Sequence, residues 1–316
     1  MIVPPVEAPH PLPIALASLL EGPAAAEDGS IYFSDLINNR ILRLDSATGR
    51  VTTFRQPSGR ANGLLFDHRG RLLACEGNEY SPDDDGHRRV TRTDLATGEV
   101  QVVCDQWQGR RLNSPNDIAC APSGHLFFTD PCYGDRSRME LDHESVYRID
   151  PDGRVTLAIS QPDIQTPNGI HVSPDGRTLY VVDSCPLSGG NRCLWAFDLD
   201  ASLQPRRRRR LIDFAPGRGG DGMAVDVDGR LYVAAGIRQP RGTHETADVP
   251  AGVYVFAPSG ELLRRIPILE DLATNVTFGG RDLKTLYMTA GKSLLTTRVE
   301  RRGWAVHRRS EPTVNA

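Results

Sequence analysis

An all-β chain closed into a six-bladed β-propeller, with four antiparallel strands to a blade, is the fold this sequence predicts. Three observations carry that expectation. A hairpin pattern recurs six times along the 316 residues, and each recurrence is followed by further short segments in which aromatic and β-branched residues alternate with polar ones. The 30 Gly and 23 Pro are spread along the chain rather than concentrated, as many short elements joined by turns require. No linker composition divides the chain, so residues 1–316 read as one domain, with 1–11 as an extended N-terminal arm.

The hairpins come first in each unit. They read "EGPAAAEDGSIYFSD", "NGLLFDHRGRLLACE", "NDIACAPSGHLFFTD", "NGIHVSPDGRTLYVVD", "DGMAVDVDGRLYVAAG" and "NVTFGGRDLKTLYMTAG". Each opens on a polar residue, namely Glu21, Asn62, Asn116, Asn168, Asp221 and Asn275, at separations of 41, 54, 52, 53 and 54. A glycine follows eight residues on in the first five (Gly29, Gly70, Gly124, Gly176, Gly229), where it supplies the positive φ of a tight turn; Leu283 stands there in the sixth. Third strands follow as "RILRL", "RVTRT", "SVYRI", "CLWAF", "GVYVF" and "SLLTT", and fourth strands as "RVTTF", "EVQVV", "RVTLA", "RRLIDF", "ELLRRI" and "GWAVH". Four strands repeated six times at about fifty residues make a propeller, and "LPIALASLL" near the N-terminus is placed to pair with the last blade and close the ring.

In a propeller the first strand of each blade lines the central channel. The six opening residues therefore gather at one mouth of it, and the second strands return to the same face. That brings Asp35, Glu76, Asp130 and Asp183 to the rim, beneath loops 36–40, 77–89, 131–144, 184–192, 236–251 and 291–292. Four of these loops are long enough to wall a pocket. Two carboxylates and several amides aimed at one point are costly unless something positive lies between them, which predicts a metal-binding channel. The donors are all oxygens, so one hard divalent cation is expected, Ca2+ first, with Mg2+, Mn2+ or Zn2+ as alternatives. For a single strand-initial Asn-Gly a turn cap is the ordinary reading; six in register, two of them ionised, argue against it.

Composition excludes several classes. The 37 basic and 40 acidic residues nearly cancel, to −3, leaving no field for nucleic acid or an anionic membrane surface. The run Arg206 to Arg210 reads as a solvated hairpin between the third and fourth strands of blade four. The N-terminal apolar run lacks a basic start and contains Pro13, so a cytoplasmic location is expected, and no stretch is long enough to span a membrane. The six cysteines, without CxxC or zinc spacing, read as reduced. There is no GxSxG and no phosphate-binding glycine loop, which leaves a small-molecule partner and a monomer or weak homo-oligomer.

The segments "LLEGP", "SPNDI", "TPNGI" and "GGDGM" resemble the metal-site segments of the gluconolactonase and senescence-marker-protein (regucalcin) family, over nearly the whole chain. "RVTRTDLATGEV", "RLNSPNDI" and "FTDPCYG" resemble its bacterial gluconolactonase-like branch. The resemblance implies a Ca2+-type hydrolase opening sugar lactones, with Glu21, Asn168 and Asp221 as protein ligands and Asn116 as a further ligand or a catalytic group in contact with the substrate. Related propellers hydrolyse organophosphates through similar sites. Two features depart from the branch, Cys132 and the long segment "GNEYSPDDDGHRRV", and both lie on the expected substrate face.

For such a reaction the ion would stabilise the tetrahedral oxyanion, and a base must take a proton from water. Asp221 is the first candidate, with Glu76, Asp130 and Asp183 behind it as rim carboxylates that could equally serve as backbone acceptors. Asn62, Glu76, Asp130 and Asn275 are candidate substrate contacts. His87 and His244 lie in loops of the same face, where a solvated histidine is the ordinary case. His171 has the wrong strand parity for a ligand and is expected to pack between blades. Two other functions stay open at this stage: a hydrolase or tailoring enzyme of a non-sugar lactone or organophosphate, and a non-catalytic calcium-binding propeller.

Overall fold

The computed structural model describes residues 12–16, 18–240 and 244–308. The expected arm at 1–11 lies outside them. The chain forms six four-stranded antiparallel sheets and one small extra hairpin, Gln106–Trp107 with Arg110–Arg111. The first strands are Leu20–Ala25, Ala61–Phe66, Ile118–Cys120, Pro167–Val172, Gly220–Val225 and Ala273–Gly279; each contacts the next, and the last contacts the first. The six-bladed propeller read from the sequence is the observed fold.

The ring closes through the N-terminus. Strand Leu12–Leu16 pairs antiparallel with Ser293–Arg298, Leu12 opposite Thr296 and Leu16 opposite Ser293, so both ends of the chain contribute to blade six. Closure leaves no long unpaired inner edge. The fourth strand expected at "GWAVH" is displaced by this pairing, and that segment goes elsewhere. It crosses the far end of the channel: Gly303 N donates to Leu283 O (2.8 Å), Trp304 N to Val225 O (2.9 Å), and Arg308 reaches Gly280 O and Ala26 O at 2.7 and 2.6 Å. The Trp304 ring lies 5.8 Å from His171, and the His307 ring 5.5 Å from Phe66. One mouth is therefore covered by this segment.

Packing follows the blade geometry. Six apolar clusters form, one between each pair of neighbouring blades, such as Tyr32, Ile41, Phe66 and Ala74 between blades one and two. The turn glycines adopt the expected left-handed backbone, from φ +73° at Gly70 to +88° at Gly124. Leu283 adopts it too, at +54°, and is 1% exposed; its burial offsets the cost of about 1 kcal/mol that a Cβ adds there. No disulfide joins any of the six cysteines, all of which lie among the described residues.

The arginine run differs from expectation in place. Arg206 to Arg210 lie within the outer strand of blade four, Pro205–Asp213, not in a hairpin loop. They are exposed and paired with Asp200, Asp198 and Asp213, while Arg208 lies over the Trp195 ring at 4.7 Å. No helix among the described residues is long and apolar enough to cross a membrane.

Candidate active site

The site is built by a repeated slip in strand register. In blades one, two, four, five and six the first strand begins with an edge pair (Leu20–Asp35, Ala61–Glu76, Pro167–Asp183, Gly220–Ala235, Ala273–Ala290) and then bulges by one residue. The residue after the edge pair is aimed into the channel mouth. It is Glu21, Asn62, Asn168 and Asp221 in the first four of these blades, and Asn116, just ahead of its strand, in blade three. In blade six it is Thr274, so Asn275 is one position out of register and does not line the mouth. Chemical likeness of one Asn to another misaligned the sixth segment. The Thr274 hydroxyl is engaged with Leu20 O (2.8 Å) and Thr289 Oγ1 (2.9 Å), stapling blade six to blade one.

The next position is Gly22, Gly63, Asp117, Gly169, Gly222 and Asn275 around the ring. Here neighbouring strands nearly touch. A Cβ on Gly169 would lie 2.1 Å from Asp221 O, and one on Gly222 would lie 1.9 Å from Asn275 Cγ. Glycine is thus required by close approach of the next blade. The two side chains that do occupy this layer, Asp117 and Asn275, hydrogen-bond to each other and face a small void of about 60 Å3 above the plug. Asp117 also accepts from Ile118 N and Ile170 N (2.9 and 3.3 Å), and burial pushes its carboxyl up to about 7.

At the open mouth lies a cavity of about 220 Å3 lined by Glu21, Asn62, Asn116, Asn168 and Asp221, together with Glu79, Tyr80, Tyr133, Ser184, Arg218 and Glu245. Burial, and then the nearby Asp221 charge, raise the Glu21 carboxyl well above its ordinary range. Asp221 is raised by burial too, against the Arg218 guanidinium, which donates to Oδ2 at 2.5 Å. Asn168 bonds the Asp221 side chain and donates Nδ2 to Tyr133 Oη (3.1 Å). Glu21 accepts from Gly22 N at 3.1 Å, and among the described residues no hydrogen bond engages the side chains of Asn62 and Asn116. The cavity thus holds uncommitted oxygens around two buried carboxylates.

The rim carboxylates play another part. Glu76 is 1% exposed and is held by Arg55 (2.8 Å), Arg89 (2.7 Å), Thr91 (2.7 Å) and His87 (2.6 Å). Asp130 is fully buried and accepts from Asn113 N and Ser114 N (2.9 and 2.8 Å), while Asp183 does the same for Gln165 N and Thr166 N. Neither Glu76 nor Asp130, expected as substrate contacts, is among the residues that line the cavity. Their acceptor capacity is spent bracing the segments that lead into the first strands. His244 is exposed, and His171 packs on Trp304 with its ring pushed down to about 4 by burial.

Six polar cavity residues named above escape sequence reasoning: Glu79, Tyr80, Tyr133, Ser184, Arg218 and Glu245. The first three sit in loops 77–89 and 131–144, which are legible as walls but carry no periodicity to single out a residue. Arg218, three residues before Asp221, had spacing as its one available signal.

Over residues 19–292 the chain matches the family described as the SMP-30/Gluconolactonase/LRE-like region. The chain belongs to this family. A gluconolactonase from Zymomonas mobilis is 32% identical over 305 residues, covering 89% of this chain and 78% of its own length. Among solved structures, a putative gluconolactonase superposes with a TM-score of 0.79 at 29% identity, covering 95% of this chain and 94% of that one. A gluconolactonase from Xanthomonas campestris gives 0.76 at 30% identity, with 91% and 89% covered.

The donor chemistry of this family member decides what its cavity could hold. Among the described residues no three His, Cys, Asp or Glu side chains cluster as a metal site, and the carboxylates of the cavity stand among amide groups. The buried Glu21 and Asp221 carboxylates, with Glu79, Glu245 and the amide oxygens in the same lining and no thiolate or imidazole there, suit a hard cation, although Arg218 already offsets one of these charges.

Proposed function

We propose that the protein is a metal-dependent hydrolase that opens a sugar lactone. The observation that carries this reading is the convergence of Glu21, Asn116, Asn168 and Asp221 on one solvent-reachable cavity, in a chain whose relatives bear the name gluconolactonase. Glu21, Asn168 and Asp221, with Asn116, would hold one divalent cation, Ca2+ by the hardness of their oxygens, and that ion would supply Lewis acidity at the lactone carbonyl oxygen. Asp221 takes the proton of the attacking water as its oxygen bonds to the carbonyl carbon. The ring C–O bond then breaks, the proton passes to the departing ring oxygen, and a hydroxy acid leaves. Arg218 holds Asp221 by Oδ2 and so fixes the carboxylate plane. Asn62 and Asn116 offer amide groups to substrate hydroxyls.

The lining favours a sugar over an organophosphate. Asn62, Asn116, Tyr133, Ser184 and Arg218 present hydrogen-bonding groups, whereas a phosphotriester calls for mainly apolar walls. The test is hydrolysis of glucono-δ-lactone by chelator-treated and Ca2+-restored protein, alongside Asp221→Ala. Activity that appears with the ion and falls by about 10³-fold in the variant supports the reading. A metal-loaded protein that leaves a broad lactone panel at the uncatalysed rate refutes it.

A further inference from the structure

Loop 77–89 does more than wall the cavity. Beside the ring cavity lies a groove of about 500 Å3, bounded by Ile37, Tyr80, Pro82, Tyr133, Gly134 and Arg138. Glu79, Tyr80 and Tyr133 line both spaces, so the groove continues directly from the place where the reacting ring would sit. From the geometry we infer that this groove is a subsite for a second sugar ring, carried by a glycosylated aldonolactone whose lactone ring occupies the cavity; the inference rests on the lactonase reading above.

The groove is built in advance of any ligand. Arg138 donates Nη1 to Ser81 O and Nη2 to Pro82 O, both at 3.3 Å, and so ties loop 131–144 to loop 77–89. Within the latter, Asn78 Nδ2 donates to Asp84 (2.7 Å), Ser81 Oγ to Asp85 (2.6 Å), and Arg60 clamps Asp85 at 2.9 and 3.2 Å. These bonds hold Tyr80 at φ +56°, a left-handed backbone that a bulky side chain rarely adopts, and leave the residue 52% exposed over the opening. A braced, strained loop that presents an aromatic face to solvent is pre-organised for contact.

The chemistry of the walls selects the occupant. Tyr80 and Tyr133 line the groove with aromatic rings that suit the C–H face of a pyranose, and Asp135 and Arg138 keep acceptor and donor capacity for hydroxyls beyond the bonds that brace the loops. The second pyranose would thus lie on the tyrosine-lined side of Glu79, outside the reacting cavity.

The test uses two readouts. An added Cβ at Gly134 meets nothing within 4 Å, so Gly134→Phe can fill the groove without disturbing the fold, and Ile37→Trp fills it from the opposite wall. Hydrolysis of cellobiono-δ-lactone, glucono-δ-lactone and γ-decalactone is compared in wild type and both variants, with calorimetric binding of cellobionate and gluconate and a melting temperature for each protein. The expected result is a kcat/KM ratio of cellobiono- to gluconolactone of at least tenfold in wild type, collapsing toward one in both variants at unchanged melting temperature, with cellobionate affinity falling in parallel. A ratio near one in wild type, a ratio that both substitutions leave intact, or a preference for the alkyl lactone overturns the subsite while leaving lactone hydrolysis standing. Binding of cellobionate that depends on Gly134 and Ile37, in a protein that hydrolyses no lactone, supports the subsite and removes the lactonase reading instead.

Discussion

Arg218 places Nη2 2.5 Å from Asp221 Oδ2, with the two side chains 14% and 6% exposed, so a buried ion pair of the open mouth is made by a residue expected to ligate a cation. The guanidinium is anchored from its other nitrogen to Ala273 O at 3.3 Å. It neutralises Asp221 and opposes any further positive charge beside it. Unit charges about 4 Å apart at an effective dielectric constant near 20 interact by about 4 kcal/mol, of which solvent and relaxation leave a part. Arg218→Met is therefore expected to tighten Ca2+ binding by about tenfold or more in calorimetry, and to lower the melting temperature of the ion-free protein, because Asp221 is then left buried and unpaired. Unchanged affinity would show that Arg218 does not compete for Asp221.

Glu76 supplies a second prediction, because its two readings differ in what they move. As a brace it satisfies Arg55 and Arg89, and Glu76→Ala leaves both guanidinium groups without their partner. Loss of a buried partner costs about 3 kcal/mol or more, which a urea melt reads directly. A substrate contact would instead raise KM in the molecules that remain folded. The expected outcome is a lower unfolding midpoint with KM changed less than twofold per folded molecule.

The sequence carried the blade pattern because each hairpin repeats two things physics fixes locally, a turn residue with positive φ and a period-two apolar alternation. Where a segment lacked that alternation, the reading failed. "GWAVH" resembles a strand, yet the outer place in blade six goes to Leu12–Leu16, within the segment expected to close the ring; the two segments competed for one place, and local pattern alone could not exclude the wrong one. Asn275 was matched to Asn168 by chemistry, whereas the backbone ladder aligns Thr274 there; a one-residue slip reverses which face a side chain takes. Glu79, Tyr80 and Tyr133 enter the cavity from loops whose course depends on tertiary bonds such as Arg138 to Ser81 O, and these have no signal in one chain's sequence.

The inner layer gives a double-mutant prediction. Gly222→Ala drives a Cβ to 1.9 Å from Asn275 Cγ, and the rigid first strands leave little room to retreat. A loss of about 2 to 3 kcal/mol is expected for the single variant. Asn275→Ala removes the clashing atoms but also the bond to Asp117, so it is destabilising by itself. In the double variant the alanines no longer collide. A favourable interaction energy of about 1 kcal/mol or more from denaturant melts of the four proteins is the expected result, and strict additivity would show that the strain is backbone and not side chain.

The plug at the far end of the channel should make the fold sensitive to acid. Burial first, and the neighbouring Arg308 charge second, lower the His307 ring from its ordinary 6.5 to about 4 against a weak backbone contact with Ala25, and neither buried ring nitrogen makes a well-aligned hydrogen bond among the described residues. A histidine with a depressed folded pKa binds its proton more readily in the unfolded chain, so it contributes stability above about pH 6.5 that is lost as pH falls toward 4. Fully expressed, that loss is about 3 kcal/mol for this residue. His307→Phe keeps the aromatic contact with Phe66, removes two poorly satisfied nitrogens and removes the titration. The variant is expected to gain about 1 kcal/mol at pH 7.5 and to show a more favourable slope of unfolding free energy between pH 6.5 and 4 than wild type, with His171, also buried and held near 4, still steepening the fall and the raised Asp117 and Asp130 carboxyls opposing it in both proteins. Parallel pH curves for the two proteins would mean that the ring is free to protonate where it sits.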